Sequence, residues 1–279
     1  MGIRVVTDSG CDLPPELLGT LGIEVVPLTI RFGREEFVDR VELTSEEFWA
    51  RLAKSETLPE TSAPSAGAFE AKFREVAAEG ATGIVCIDIS SRLSATMQAA
   101  QVAAAAVADQ IPVRVIDSLT VSMGLGNLCL TAARQAAHGD SLDSIAGEVE
   151  DRRDRTKLFG SLDTLEYLKR GGRVGNARAL LGSMLSIKPV VEVRDGVVEE
   201  AGKVRTRSKA LKLLASKAAE GPIEHLAVLH GMAPDLDGLL SLLAPIFPRD
   251  EIVTGLVGPV IGTHAGPGVI GVSFQTARR

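Results

Sequence analysis

Three apolar, β-branched runs in this chain end in aspartate with serine one or two residues behind. They are Val5-Val6-Thr7-Asp8-Ser9, Ile84-Val85-Cys86-Ile87-Asp88-Ile89-Ser90-Ser91 and Val113-Arg114-Val115-Ile116-Asp117-Ser118. A helix-like stretch follows each. Short apolar runs that alternate with helices read as buried parallel strands. The chain is therefore predicted to build an open α/β sheet, whose strand carboxyl ends line the edge where ligands bind. Three Asp-Ser ends would gather hydroxyls and helix N-terminal N–H groups at that edge. That chemistry suits a carboxylate or phosphate head group.

The 279 residues, 45% of them apolar, suffice for one large domain or two ordinary ones. Aromatics are only 4%, so aliphatic side chains must fill the core. A net charge of −6 argues against nucleic acid, which needs a basic face, and stacking platforms for single strands are missing. Cys11, Cys86 and Cys129 fit neither a disulfide framework nor zinc spacing, and a reduced, cytoplasmic setting is expected. The first strand begins almost at once, so no signal peptide is expected. Met1-Gly2 resembles a myristoylation start, but Val6 stands where that pattern needs Ser or Thr. No apolar run approaches the roughly 18 residues of a membrane span, and no membrane insertion is expected.

Along the chain, Asp12 is placed as the N-cap of a helix opened by Pro14 and Pro15. Residues 24–32 read as extended, with a turn at Gly33. Thr44-Ser45-Glu46-Glu47 has the form of a capping box, starting a helix that runs to about Lys54. Residues 57–64 read as a loop. Helix 65–78, strand 83–88, alanine-rich helix 93–108, strand 113–117 and a helix over about 120–137 follow. Residues 140–155 are the most charged stretch, and a domain boundary is placed at 156/157. Beyond it come strand 157–161, helix 162–169, a glycine-rich turn, a short helix and strand 187–194. Asp195-Gly196 between two strand-like runs is the strongest short hairpin signal. Helix 207–219, strand 224–230, helix 235–244 and strands 251–256 and 269–275 complete the chain. The expected fold is α/β: an N-terminal domain (1–156) with a mostly parallel sheet, flanking helices and the head-group loops, and a smaller C-terminal mixed α/β sandwich (157–279).

Four motifs carry candidate chemistry, each beside a plainer structural account. Ser90-Ser91-Arg92-Leu93-Ser94-Ala95-Thr96 clusters four hydroxyls between a strand and a helix. N-capping would use one or two of them and stabilise the helix by ~1 kcal/mol, which leaves the rest for a ligand. Thr61-Ser62-Ala63-Pro64-Ser65 repeats the pattern in a proline-stiffened loop, where a turn and a cap are the plainer reading. In Gly258-Pro259-Val260-Ile261-Gly262-Thr263-His264-Ala265-Gly266-Pro267-Gly268 the glycines let backbone approach a ligand closely, with His264 among them. A tight structural crossing is the alternative. The formal G-x-G-x-x-G at 266–271 lacks the following helix and the acid of a dinucleotide site. Lys169-Arg170-Gly171-Gly172-Arg173 suits a helix C-terminus, or makes Arg173 a mobile cation near an anionic group. Asp8, Asp88 and Asp117 could suggest a magnesium cage, but capping and hydrogen-bonding of neighbouring loops is the favoured account. No P-loop, nucleophile elbow or His-Glu-x-x-His occurs.

These strings resemble the DegV family of bacterial lipid-binding proteins. The likeness runs through Thr7-Asp8-Ser9 with Asp12-Leu13-Pro14-Pro15-Glu16, then 61–65, 90–96 and Ile116-Asp117-Ser118. It continues in Leu165-Glu166-Tyr167-Leu168-Lys169-Arg170-Gly171-Gly172-Arg173, Leu185-Ser186-Ile187-Lys188-Pro189 and 258–264. The resemblance implies two α/β domains with a long-chain fatty acid held between them, and no other cofactor or metal. It implies a non-catalytic subunit that presents the fatty acid carboxylate to a separate ATP-dependent fatty acid kinase, with an acyl phosphate as product. Thr61, Ser62, Ser91, Ser94, Thr263 and His264 would then form the carboxylate site, and Arg173 would face the kinase. Ala95 and Ala63 depart from the glycine and glutamine often found in the family near those positions. Ala265 and Val269 depart mildly from its usual Thr and Ala. Two other functions stay open at this point. One is a stand-alone metal-dependent phosphotransferase or hydrolase using the Asp8/Asp117 edge, and the other is a sensor of small polar ligands.

Overall fold

A computed structural model describes residues 2–179 and 187–278. Strands β1 (Ile3–Asp8), β2 (Ile23–Val26), β6 (Gly83–Asp88) and β7 (Val113–Asp117) form a parallel sheet in the order β2-β1-β6-β7. Its strand order reverses between β1 and β6, which makes the carboxyl end of that pair the switch point of the sheet. Side-chain alternation along the strands separates two cores. Val6, Ile84 and Cys86 face α3 (Ala66–Ala78) and α4 (Thr96–Ala106). Val5, Val85 and Ile87 face α5 (Ser122–His138), with α6 (Leu142–Arg155) beside it.

After Arg155 the chain builds a second sheet from β8 (Thr156–Ser161), β9 (Lys188–Arg194), β10 (Val197–Val204), β11 (Ile223–His230), β12 (Val253–Leu256) and β13 (Ile270–Thr276). The order is β10-β9-β8-β13-β11-β12, antiparallel except for β11 with β12. Phe159, Val228, Val272 and Phe274 turn outward onto α8 (Arg207–Ala218) and α9 (Leu236–Leu243). Leu158, Val191, Val193 and Leu229 turn inward and join the core of the first half. Helix α5 lies between the sheets with 12 of its 17 residues buried. A helix buried on nearly all sides is a core element rather than an amphipathic cover. A third, antiparallel sheet of β3 (Thr29–Phe32), β4 (Glu35–Val38) and β5 (Glu60–Ser62) stands beside α2 (Ser45–Leu52).

Local signals explain much of this. Thr44 caps α2 through the Glu47 N–H, and the Glu47 carboxylate accepts the Thr44 N–H in return. Arg194 pairs with Val197 across a two-residue turn whose Asp195 and Gly196 have φ of 48° and 80°. Both values are the left-handed conformation that a tight hairpin needs.

The structure differs from the sequence reading in five places. Asp12 does not cap α1 (Pro15–Leu21): Pro14 holds the cap position, and Asp12 lies buried in a left-handed conformation with φ 47°. The run 24–32 divides between two sheets, and the loop at 57–64 contains β5. The glycine run at 258–268 contains a helix, α10 (Pro259–Ala265). Pro259 at its first position starts it, and a Cβ on Gly262 would come within 2.5 Å of Phe48, so that glycine serves packing. The helix expected over 162–169 is short, α7 (Glu166–Arg170). Leu185 and Ser186 lie outside the described residues.

Candidate functional site

Between the two sheets lies a cavity of about 220 Å³. It exceeds the roughly 150 Å³ of apolar cavities that stay dry and admit a benzene-sized guest. Its walls are mostly aliphatic. Leu158, Val191, Val193, Val198 and Leu229 come from the second sheet, and Ile89, Leu93, Val260 and Ile261 from the loops and helix above it. Gly160 forms part of the wall on β8. A Cβ built there would find only Val191 Cγ2, at 4.0 Å, so the missing side chain leaves open space rather than relieving a clash. Such a strand glycine marks where another group approaches the backbone.

The polar part of the lining is small: Thr61, Ser94, Ser122, Arg173 and His264. Thr61 sits on β5 and His264 on α10, and Thr61 Oγ1 lies 3.0 Å from His264 Nε2. Burial, and then the charge of Arg173, lower the His264 pKa to about 4, so the ring is neutral at neutral pH. Its buried Nδ1 has no hydrogen-bond partner among the described residues and faces Gly171, where a Cβ would come within 2.2 Å. The Lys169–Arg173 motif thus ends α7 and also makes room for the histidine. Ser94 Oγ lies 2.8 Å from Thr96 Oγ1. Ala95 holds the cap position of α4 without a capping side chain, so the positive end of that helix is presented beside Ser94.

Arg173 differs from the mobile cation read from the sequence. Its Nε donates to Leu93 O at 3.1 Å and its Nη1 to Gly171 O at 2.6 Å, which ties the serine loop to the glycine turn. Thr61, Arg173 and His264 line a second space as well, a polar cleft of about 490 Å³ with Glu56, Glu60, Tyr167 and Arg170 around it. One wall of three side chains therefore separates the aliphatic cavity from the polar cleft.

Three of the expected carboxylate ligands lie elsewhere. Ser62 is exposed and points to the opposite face of β5 from Thr61, as strand alternation requires. Ser91 is exposed, and its N–H and hydroxyl both donate to Asp117. Thr263 is buried and donates to Pro259 O within α10, lining the cleft but not the cavity. Ser90, the first residue of the hydroxyl cluster, is buried and does not line the cavity. Its hydroxyl donates to Gly196 O at 2.8 Å and docks the β9–β10 hairpin tip on the serine loop. The hairpin walls and Gly160 were missed, although a lone glycine among apolar strand residues was a signal.

Two of the three strand-end aspartates hold loops, whereas the Asp88 carboxylate meets only Cys86 Sγ of its own strand. Asp8 accepts from Gly10 N and Ile89 N, closing the switch point with its own carboxylate, while Asp117 accepts from Ser91 and Leu119. Burial raises Asp8 to about 6 and, with Asp8 beside it, pushes Asp88 well above the usual carboxylate range. Among the described residues no cluster of three or more His, Cys, Asp or Glu is placed to hold a metal ion, and no helix is long and apolar enough to cross a membrane.

Fold and cavity together define an α/β protein built around an aliphatic pocket with a polar wall at one end. The chain belongs to the DegV family, whose model matches residues 2–277. A DegV domain-containing protein of Streptomyces coelicolor is 37% identical over 276 residues, covering 97% of each chain. Among solved structures, a fatty-acid-binding DegV family protein from Thermus thermophilus superposes with a TM-score of 0.90 at 36% identity, covering 99% of this chain and 100% of that one. DegV from Bacillus subtilis, a fatty acid binding protein, gives 0.88 at 31% identity with 99% and 100% covered. A stearic-acid-binding protein from Eubacterium ventriosum gives 0.86 at 26%, with 98% of each chain covered.

Proposed function

We propose that this protein binds one long-chain fatty acid in the inter-sheet cavity and presents its carboxylate at the Thr61–His264 wall. The observation that carries the reading is the placement of a few polar side chains at one end of an aliphatic space. Burying an acyl chain favours binding by ~0.8 kcal/mol per methylene, roughly 11 kcal/mol gross for about 14 of them. Ordering and association subtract several kcal/mol from that sum. An unpaired buried carboxylate would be very unfavourable. Here the Ser94 hydroxyl, the start of α4 and the Thr61 hydroxyl are available to it. With His264 neutral, an Nε2–H donating to Thr61 Oγ1 leaves the threonine proton free for the ligand. The fatty-acid-binding relatives support the same reading.

The further step in this proposal is a non-catalytic role: the head group is offered to a separate ATP-dependent fatty acid kinase, which forms the acyl phosphate. The polar cleft supports it, because the residues lining the cavity's polar end also line a space reachable from outside. In this reading residues 1–156 supply most head-group loops and residues 157–279 most of the tunnel wall. Asp8 and Asp117 are engaged by backbone N–H groups, which disfavours the metal-dependent phosphotransferase or hydrolase reading.

Titrating the protein with palmitic acid and with hexadecanol tests the binding claim. The acid is expected to bind at least tenfold more tightly. Equal affinities would remove the carboxylate site, and no binding of either would remove the cavity reading. Adding a fatty acid kinase catalytic subunit with ATP tests the presentation claim, with acyl phosphate the expected product.

A further inference from the structure

Asp12 was expected to cap a helix, and instead joins three distant parts of the chain. Its Oδ1 accepts the Gly258 N–H at 2.9 Å, the residue from which α10 starts. Its Oδ2 accepts the Ser122 hydroxyl at 2.6 Å, at the start of α5. Both helices line the cavity: α5 with Ser122 itself, α10 with Val260, Ile261, His264 and Ala265. Asp12 is 1% exposed, and the backbone around it is close-packed. A Cβ on Gly255 would come within 2.5 Å of Asp12 O, and one on Gly258 within 3.1 Å of its Oδ1. Asp12 and Ser122 both hold left-handed backbone, φ 47° and 52°, a conformation costly for non-glycine residues that persists where surroundings enforce it. Helix α10 has only seven residues and no capping side chain at its own N-cap. His264 lies six residues beyond the N–H that Asp12 holds, less than two helical turns.

We infer that Asp12 is a positioning residue for the head-group end of the cavity, setting α10 against α5 so that His264 meets Thr61. This rests on the fatty-acid reading of the cavity. Asp12 does not line the cavity and acts only through the two elements it joins. The charged and titratable groups around it are Arg40, Asp39, Asp8 and Cys11. Arg40 donates to Leu13 O and approaches Cys11 Sγ, so its charge sits over the Asp12 loop without a direct bond to the Asp12 carboxylate. Burial, opposed by the Ser122 hydroxyl and Arg40, raises the Asp12 carboxyl to about 7.

The test compares wild type with Asp12→Asn, Asp12→Ala and Ser122→Ala in two measurements. One is palmitate affinity, by displacement of a fluorescent fatty acid. The other is the imidazole nitrogen spectrum of His264 in the lipid-free protein, assigned by its loss in His264→Gln. An asparagine still accepts from Gly258 N and can donate its amide to Ser122 Oγ. Asp12→Asn should therefore keep affinity within about threefold and leave the His264 signals in place. Asp12→Ala should lose tenfold or more in affinity and shift those signals, and Ser122→Ala, which removes one arm, should do both to a lesser degree. If Asp12→Ala does not fold, Ser122→Ala carries the test. Wild-type affinity and unshifted His264 signals in a folded Asp12→Ala or Ser122→Ala protein would overturn the assignment, as would an Asp12→Asn protein no better than Asp12→Ala. If wild type binds no palmitate, the fatty-acid reading fails, while the lipid-free His264 spectra still decide whether Asp12 places the histidine.

Discussion

Thr61 Oγ1 and His264 Nε2, 203 positions apart in the chain, lie 3.0 Å from each other where the aliphatic cavity meets the polar cleft. One comes from the edge of a three-stranded sheet and the other from a helix that connects β12 to β13 of the second sheet. Their pairing is the closing stitch of the cavity, and several measurable consequences follow from its surroundings.

Thr61→Val keeps the shape of the side chain and removes its hydroxyl. A hydrogen bond to a charged group contributes about 1.5–3 kcal/mol. Palmitate affinity should therefore fall by roughly 10- to 100-fold, with a lower thermal midpoint as His264 Nε2 loses its partner. An affinity within twofold of wild type would show that Thr61 does not touch the carboxylate.

Arg173→Ala removes a cation at the cleft and the tie from Leu93 O to Gly171 O. The variant should retain bound lipid, with affinity reduced several-fold by the looser serine loop, and should lose phosphorylation by the kinase subunit. Turnover equal to wild type would show that Arg173 does not face the partner.

The hairpin tip gives a stability prediction that needs no ligand. A Cβ on Gly196 would come within 2.5 Å of Ser90 Oγ, and its φ of 80° strains any other residue. Gly196→Ala should cost about 1–3 kcal/mol, read as a lower urea midpoint with an unchanged slope. No loss would mean that the Ser90–Gly196 contact is dispensable.

His264 predicts a pH effect. Its folded pKa is about 4 against an ordinary value of 6.5, so between those values the unfolded chain binds the extra proton. Stability falls as pH drops from 6.5 toward 4. At pH 5 the ring withholds about 2 kcal/mol relative to an unperturbed histidine. His264→Gln should therefore lose less stability than wild type between pH 7 and pH 5. Asp12, raised to about 7 by burial, works in the other direction: the folded state holds the extra proton, and its contribution declines as pH rises from about 4 to 7. Urea midpoints at both pH values separate the two, and parallel slopes for wild type and His264→Gln would contradict the depressed histidine.

Local order was legible where one residue type dictates one geometry. The Thr44–Glu47 capping box, the Asp195-Gly196 turn and the apolar run of β6 needed nothing from the rest of the chain. The hydroxyl loops were legible as a site, but not which hydroxyl faces inward. Ser91 and Ser94 look alike in sequence, and only the Asp117 carboxylate, reached by β6 pairing with β7, draws Ser91 outward. Helix α10 was hidden because glycine propensity argues against a helix, whereas Phe48 and Trp49 press on Gly262 and make the small residue favourable. Asp12 was misplaced for a similar reason. Local capping rules favoured α1, and its partners, Ser122 and Gly258, come from 110 and 246 positions away. The cavity wall was invisible, since Leu158, Val191 and Leu229 read as ordinary core until Gly160 leaves a gap between them.

The most direct test of the account is organic extraction of the purified protein and of Gly160→Leu, before and after incubation with palmitic acid, with acyl chains counted by mass spectrometry. Gly160 lines the cavity and a Cβ there would meet only Val191 Cγ2, at 4.0 Å, so the variant should fold with a thermal midpoint near wild type. The account predicts close to one long-chain fatty acid per wild-type chain and close to none for Gly160→Leu. No acyl chain in the wild-type extract even after incubation, or full occupancy in a folded Gly160→Leu protein, would contradict it.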